Sequence, residues 1–216
     1  MKNMTIWNIA RACKGHLAVP AGKHTGTCPA AGMAVIRGYS GKEAAGIVID
    51  SRKVEPGDIF VAIRGERVDG HQFIREVFDK GAIAVVCEEE PEELPGPCIR
   101  VEDSLAALRQ IAAFYREQMP IPIVGITGSV GKTSTKEFVA SVLAQKYKTH
   151  KTQGNFNNEI GVPLTLLAMP EDTEAAVVEM GINHFGEMHR LSEMVKPDIC
   201  VMTNIGPVSY THLTLP

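Results

Sequence analysis

An apolar, strand-like stretch, Ile121 to Val124, runs directly into Gly125-Ile-Thr-Gly128-Ser-Val-Gly131-Lys132-Thr133-Ser-Thr135, and a helix-like segment follows. A strand that feeds a glycine-rich turn and then a helix points to an α/β layer architecture, with the turn at the strand's carboxyl end. Gly128 and Gly131 let the backbone aim its N–H groups inward around a polyphosphate, where a Cβ would crowd the anion. Thr127, Gly128, Ser129, Val130, Gly131, Lys132, Thr133 and Ser134 are therefore the expected phosphate-binding residues. Lys132 is placed to neutralise the β and γ phosphates and the Thr133 hydroxyl to sit on Mg²⁺. The next helix, with Phe138, Val139, Val142 and Leu143 on one face, aims its positive dipole end at the same anion. The loop is a variant of the general pattern: five residues before Gly131 stands Ile126, and Gly125 comes one place too early. A glycine-rich turn that merely happens to carry a lysine would not account for the agreement of strand, loop and helix.

Composition narrows the function classes. The 216 residues, 44% of them hydrophobic, suffice for one or two domains with an ordinary core. A net charge of −3 offers no basic footprint for nucleic acid. No apolar run approaches a membrane-spanning length, and Arg11 and Lys14 interrupt the start, so no membrane span and a cytoplasmic location are expected. A monomer is the expected state. Cys13, Cys28, Cys87, Cys98 and Cys200 are odd in number, scattered and never in a C-x-x-C pair, which predicts free thiols rather than bridges or a zinc site.

Element alternation suggests two α/β units joined near Met119-Pro120, at residues 1–119 and 120–207, with a separate tail at 208–216. Residues 1–46 are hard to read because glycine, alanine and proline dominate much of them. Ile47-Val48-Ile49 and Ile59-Phe60-Val61-Ala62 read as strands flanking a turn at Pro56-Gly57-Asp58. Phe73, Ile74, Val77 and Phe78 mark a helix that Gly81 could cap, and Ile83 to Cys87 is a buried strand. The acidic run Glu88-Glu89-Glu90 with Glu92-Glu93 reads as a solvated loop rather than a metal site. Asp103 or Ser104 then caps a helix carrying Leu105, Leu108, Ile111, Ala112 and Tyr115.

Beyond the phosphate loop, Thr152 to Gly161 is dense in turn-forming side chains, Asn155, Asn157 and Asn158 among them; loop and helix capping or ligand binding would each account for them. Ala175 to Val178 reads as a buried parallel strand ending in Glu179, where such a sheet presents ligands to a nucleotide and an acid suits Mg²⁺. Phe185, Met188, Leu191 and Val195 follow at helical spacing, and Asp198 to Met202 reads as another strand. His184 lies just after the strand end and could face the nucleotide. His184, Glu187 and His189 fit no standard zinc spacing, so His189 is expected at the surface.

Together, Gly125 to Thr135, the run Gly154-Asn-Phe-Asn-Asn-Glu-Ile-Gly-Val-Pro-Leu-Thr-Leu-Leu167 and Glu179-Met-Gly-Ile-Asn-His-Phe-Gly-Glu187 resemble the Mur ligase family. Asp50-Ser51-Arg52-Lys53-Val54-Glu55-Pro56-Gly57-Asp58-Ile59-Phe60 and Asp69-Gly70-His71 resemble its amino-terminal, uridine-nucleotide-binding domain. The resemblance implies a small α/β uridine-nucleotide-binding domain followed by a partial parallel-sheet P-loop ATPase domain. It also implies ATP and Mg²⁺ as cofactors and an ATP-dependent amide ligation in peptidoglycan precursor synthesis. Its asparagine run and Glu-Met-Gly-x-Asn-His favour the branch whose substrates are UDP-N-acetylmuramoyl-tripeptide and D-alanyl-D-alanine. On that basis Lys132 and Glu179 are the catalytic pair, Thr133 and Glu179 hold the metal, Ser51 and Arg52 contact the uridine nucleotide, and Asn157 and Asn158 line the muramoyl-peptide groove.

After Asn204-Ile205-Gly206-Pro207 the family continues with an alanine, a metal-binding histidine and an acid, whereas Val208 and Ser209 stand here. Val208 to Pro216 therefore reads as a foreign tail on an incomplete ligase that turns over weakly or not at all. The alternatives are a non-catalytic nucleotide-binding module or another P-loop kinase. A GTPase is disfavoured, since no Asp-x-x-Gly switch follows the loop and no Asn-Lys-x-Asp guanine reader is present.

Overall fold

The structure, a computed structural model, describes residues 1–20, 38, 41–65, 68–182 and 185–206. The chain divides into two compact units, Met1–Ile111 and Ala112–Pro216. The division falls inside the helix Ser104–Glu117, ahead of the Met119-Pro120 junction suggested by the sequence.

The first unit contains α1 (Ile6–Ala12), β1 (His16–Ala18), β2 (Ile47–Val48), β3 (Ile59–Val61), α2 (Ile74–Asp79), β4 (Ala84–Cys87), β5 (Cys98–Arg100) and most of α3 (Ser104–Glu117). Its sheet runs β1-β5-β4-β3-β2, with β2, β3, β4 and β5 parallel and β1 antiparallel on β5. The buried strand expected at 83–87 is β4, all four of whose residues are buried. Phe60, Val85, Cys87 and Cys98 from the strands and Ile74 and Val77 from α2 form one core cluster. α1, β1 and β5 have weak local signals; Thr5 caps α1 by accepting the N–H of Asn8 at 3.1 Å. Asp103, not Ser104, caps α3: its Oδ1 accepts the N–H groups of Leu105 and Ala106 at 2.8 and 2.9 Å. The acidic run is spent on ion pairs, Glu89 with Arg64 at 2.5 Å and Glu93 with Arg75 at 3.4 Å.

The second unit takes the end of α3 and then β6 (Ile123–Thr127), α4 (Lys132–Leu143), β7 (Thr149–Lys151), α5 (Gly161–Leu167), β8 (Ala175–Glu179), α6 (Glu187–Val195) and β9 (Ile199–Met202). All four strands are parallel in the order β7-β8-β6-β9. From β6 the chain first moves to one side, to β7 and β8, and then returns to the other side at β9. That places β6 at the topological switch point, where the strand ends on either side diverge and leave a crevice.

Two helix-face expectations are corrected. On α4 the side turned to the sheet is Lys136, Val139, Ala140 and Leu143, packed near Ile126 and Val177, while Phe138 and Val142 are 74% and 71% exposed. Both stripes have i, i+4 spacing, and only the docking of the helix on the sheet chooses between them. Phe185 lies outside α6 and is 91% exposed; that helix instead buries Leu191, Met194 and Val195, after Gly186 turns the chain at φ +82°. No helix among the described residues is long and apolar enough to cross a membrane. Cys13, Cys87, Cys98 and Cys200 are free thiols, and Cys28 lies outside the described residues.

Candidate functional site

β6 ends at Thr127, and the next four residues turn sharply before α4 begins at Lys132. Gly128 has φ +129° and Gly131 φ +84°. The two glycines have different reasons. A Cβ on Gly128 would lie 2.3 Å from Thr203 Oγ1 and 2.9 Å from the backbone N and O of Asn204, whereas one on Gly131 would meet nothing within 4 Å. Gly128 thus admits the close approach of the segment after β9, and Gly131 supplies a left-handed residue that starts the helix.

That neighbouring segment straps the loop. The N–H of Ser129 donates to the Asn204 carbonyl at 2.9 Å, and Ser129 Oγ donates to the Gly206 carbonyl at 2.9 Å. Thr203 Oγ1 reaches the Val130 carbonyl at 2.6 Å. Ser129 is therefore turned toward the strap and its amide is already committed there. Lys132 Nζ folds back onto the Gly128 carbonyl at 2.8 Å, across the turn that an anion would fill. Val130, Thr133 and Ser134 are exposed at the start of the helix.

The strand-end acid is where the site closes. Register pairs Glu179 with Ile126, so the carboxylate stands beside the last residues of β6. The side chain is 1% exposed. Its Oε1 accepts the Thr133 hydroxyl at 3.2 Å and Asn157 Nδ2 at 2.8 Å, and its backbone N–H donates to Thr152 Oγ1 at 2.9 Å. Lys136 Nζ, 0% exposed, lies 3.6 Å from Oε2 and donates to the Gly154 carbonyl at 2.9 Å. Glu137 lies 3.4 Å from the same ammonium and pairs with Lys151, whose hydrogen bond, ahead of that from Lys136, holds the Glu137 carboxyl below the usual range.

Oε2 of Glu179 is buried without a hydrogen-bond partner. The Lys136 ammonium balances its charge at 3.6 Å without a hydrogen bond, which leaves its lone pairs open, and beside a glycine-rich loop such an oxygen fits a hard divalent ion. Among the described residues no group of three or more His, Cys, Asp or Glu side chains could hold a metal ion alone. The ligands to such an ion would be Thr133, Glu179 and phosphate oxygens.

Asn157 and Asn158 divide the two roles open to the asparagine run. Asn157 reaches Glu179, while Asn158 Oδ1 accepts the N–H groups of Ile160 and Gly161 at 3.2 and 2.7 Å and so caps α5. His184 lies outside the described residues. His189 is exposed and paired with Glu193 at 3.4 Å. In the first unit, Ser51 is buried in the 3-10 turn Ser51–Lys53, and its carbonyl accepts Lys80 Nζ at 2.9 Å. Arg52 is exposed and clamps Asp50 through two hydrogen bonds of 2.8 Å, which pull the Asp50 carboxyl down to about 2.

The sequence reading gives Lys136, Thr152 and the Thr203–Gly206 strap no part in the site. Lys136 had a usable signal: a lysine on the same helical stripe as Val139, Ala140 and Leu143 must be buried with a counter-ion if that stripe meets the sheet. The strap had none, because its partners are some 75 residues distant in sequence.

The match of this arrangement to known proteins is extensive. A family model described as the Mur ligase middle domain matches residues 126–213, running past Val208, and one described as Mur ligase family, catalytic domain, matches residues 43–116. The UDP-N-acetylmuramoyl-tripeptide–D-alanyl-D-alanine ligase of Bacillus subtilis (strain 168) is 42% identical over 211 residues, 95% of this chain and 42% of its own length. A crystal structure of MurF from Acinetobacter baumannii gives a TM-score of 0.77 at 33% identity, covering 93% of this chain and 40% of that one. The MurF ligase of Thermotoga maritima in complex with ADP gives 0.69 at 37% identity, covering 74% and 37%. The chain spans well under half the length of these relatives. Two domain matches in chain order, joined to a phosphate loop whose strand-end carboxylate meets the asparagine run, lead to one conclusion: this chain belongs to the Mur ligase family.

Proposed function

We propose that the chain carries the uridine-nucleotide and phosphate-handling parts of an ATP-dependent ligase that joins D-alanyl-D-alanine to UDP-N-acetylmuramoyl-tripeptide. One observation carries the reading. Thr133 of the loop helix and Asn157 of the asparagine run meet on the buried carboxylate of Glu179, at 3.2 and 2.8 Å, so three separate motifs form one site. Similarity to the Bacillus subtilis ligase and to MurF structures supports the substrate assignment.

A carboxylate is a poor electrophile at neutral pH. Transfer of the γ-phosphoryl group of ATP to the tripeptide's terminal carboxylate breaks the bond to the ADP oxygen and forms an acyl phosphate. The dipeptide amine then attacks the carbonyl carbon, loses a proton, and phosphate departs from the tetrahedral intermediate. Little covalent work falls to the protein, so positioning and charge neutralisation dominate. Lys132 would leave the Gly128 carbonyl for the phosphates, and the loop N–H groups not tied to the strap would face them. Mg²⁺ held by Thr133 and Glu179 would supply charge neutralisation. Asn157 orients the carboxylate. Ser51 and Arg52 would contact the uridine nucleotide, Arg52 by exchanging Asp50 for a phosphate.

Ligand-induced melting shifts test the reading without requiring turnover. A ligand at a hundred times its Kd stabilises the folded state by about 2.7 kcal/mol. Both Mg-ATP and the uridine-muramoyl tripeptide should raise the melting temperature, and Glu179→Gln should remove the Mg²⁺-dependent part of the ATP shift. Response to Mg-ATP alone would favour a kinase or a bare nucleotide-binding module. No response to either ligand would overturn the proposal.

A further inference from the structure

Lys136 is a buried cation for which phosphate binding offers no role. It sits a full helical turn beyond Lys132, has no exposed surface, and is fixed by the Gly154 carbonyl at 2.9 Å, Glu137 Oε1 at 3.4 Å and Glu179 Oε2 at 3.6 Å. Glu137 is shared with Lys151. The ammonium therefore stands against the one oxygen of Glu179 that lacks a hydrogen bond, while Oε1 is already taken by Thr133 and Asn157.

We infer that Lys136 is a resident counter-ion that makes divalent-cation binding at Glu179 depend on a bound polyphosphate. The inference rests on the reading of Glu179 as the cation-holding acid. The buried carboxylate is balanced by the buried ammonium, as a charge in such a place must be. A bare divalent ion approaching Oε2 meets that ammonium and, at the turn, the ammonium of Lys132, both of its own sign, in an environment that screens poorly. A polyphosphate in the turn reverses the local balance: it draws Lys132 away from the Gly128 carbonyl and adds several negative charges beside Thr133. The cation then enters with the phosphates rather than ahead of them. Lys136 cannot withdraw to make room, since the turn at Gly154 and the sheet enclose it. It is a positioning residue that sets binding order and touches no reacting atom.

The test is Mn²⁺ titration of the full chain, followed by the electron paramagnetic resonance signal of free Mn²⁺, with and without ADP, counting only Mn²⁺ retained by the protein. The wild type should hold Mn²⁺ at least tenfold more tightly with ADP than without. Lys136→Met should tighten binding of Mn²⁺ alone at least tenfold and shrink the ADP effect, and Lys136→Arg should keep the wild-type dependence. If Lys136→Met holds Mn²⁺ alone no more tightly than the wild type, while the wild type retains it with ADP, the counter-ion role is wrong and the cation site stands. If no protein retains Mn²⁺ even with ADP, the cation site itself is wrong and the inference falls with it. Should Lys136→Met lose its cooperative melt, the wild type decides: Mn²⁺ affinities within threefold of each other with and without ADP overturn the inference.

Discussion

Replacing Gly128 and Gly131 separately by alanine distinguishes close packing of the phosphate loop from mere backbone permissiveness. Both residues have positive φ, +129° and +84°, so each variant carries a conformational cost of about 1–2 kcal/mol. Only Gly128→Ala adds a collision. Its Cβ would sit 2.3 Å from Thr203 Oγ1, which cannot retreat without leaving the Val130 and Thr127 carbonyls at 2.6 and 3.2 Å. The one hydroxyl proton of Thr203 is shared between those carbonyls, so a single hydrogen bond of about 0.5–1.5 kcal/mol is at stake there. The backbone of Asn204, 2.9 Å away, must shift as well, and it holds the Ser129 amide. Gly128→Ala should therefore be less stable than Gly131→Ala by about 2 kcal/mol, or about 4–8 °C in melting temperature for a chain of this length. Thermal melts and urea titrations of the two variants side by side read the difference. Equal destabilisation of the two, or a cost for Gly128→Ala under about 0.5 kcal/mol, would refute the argument that the strap needs a glycine beneath it.

Asn158→Ala should cost roughly 1 kcal/mol through loss of the cap on α5, seen in urea denaturation, yet leave the Mg-ATP melting shift in place, because Asn158 does not touch Glu179. Burial depresses the His150 imidazole below its ordinary value, partly offset by the Nε2–H bond to the Thr165 carbonyl at 2.8 Å. The unfolded chain thus takes up that proton first, so His150's contribution is complete above about pH 6.5 and fades as pH falls below it; His150→Gln should flatten that part of the stability profile. The same sign applies to Asp50, held down to about 2 by Arg52: an NMR titration should find its carboxyl still ionised near pH 3, and Arg52→Ala should return it toward the ordinary range. Phe138→Ser, on the exposed stripe of α4, should change stability by no more than about 0.5 kcal/mol, and a loss of several kcal/mol would mean that the stripe is covered in solution.

Elements with strong local patterns were legible in the sequence. β4 is a short apolar run buried throughout, α3 carries Leu108, Ile111, Ala112 and Tyr115 at helical spacing, and the loop's glycines announce a turn no other residue makes cheaply. Short elements escaped: β7, only Thr149–Lys151, is half-buried throughout and becomes a strand because β8 pairs with it. α5 holds Pro163 in its first turn, where the missing N–H costs nothing, and its start is marked by Asn158 three positions ahead rather than by a residue adjacent to the helix.

The chain's own order of residues determined that a glycine-rich turn follows β6, that an acid ends a parallel strand, and that the family is that of the Mur ligases. These are properties of short segments, set by backbone sterics and side-chain alternation within a few residues. Tertiary structure alone decided that Lys136 rather than Phe138 faces the sheet, that Asn157 holds Glu179 while Asn158 caps a helix, and that Ser129 is tied to the strap after β9. Helical periodicity sets the spacing of a stripe but not which of two stripes wins, and the partners that choose lie on other strands, brought close only when the sheet assembles.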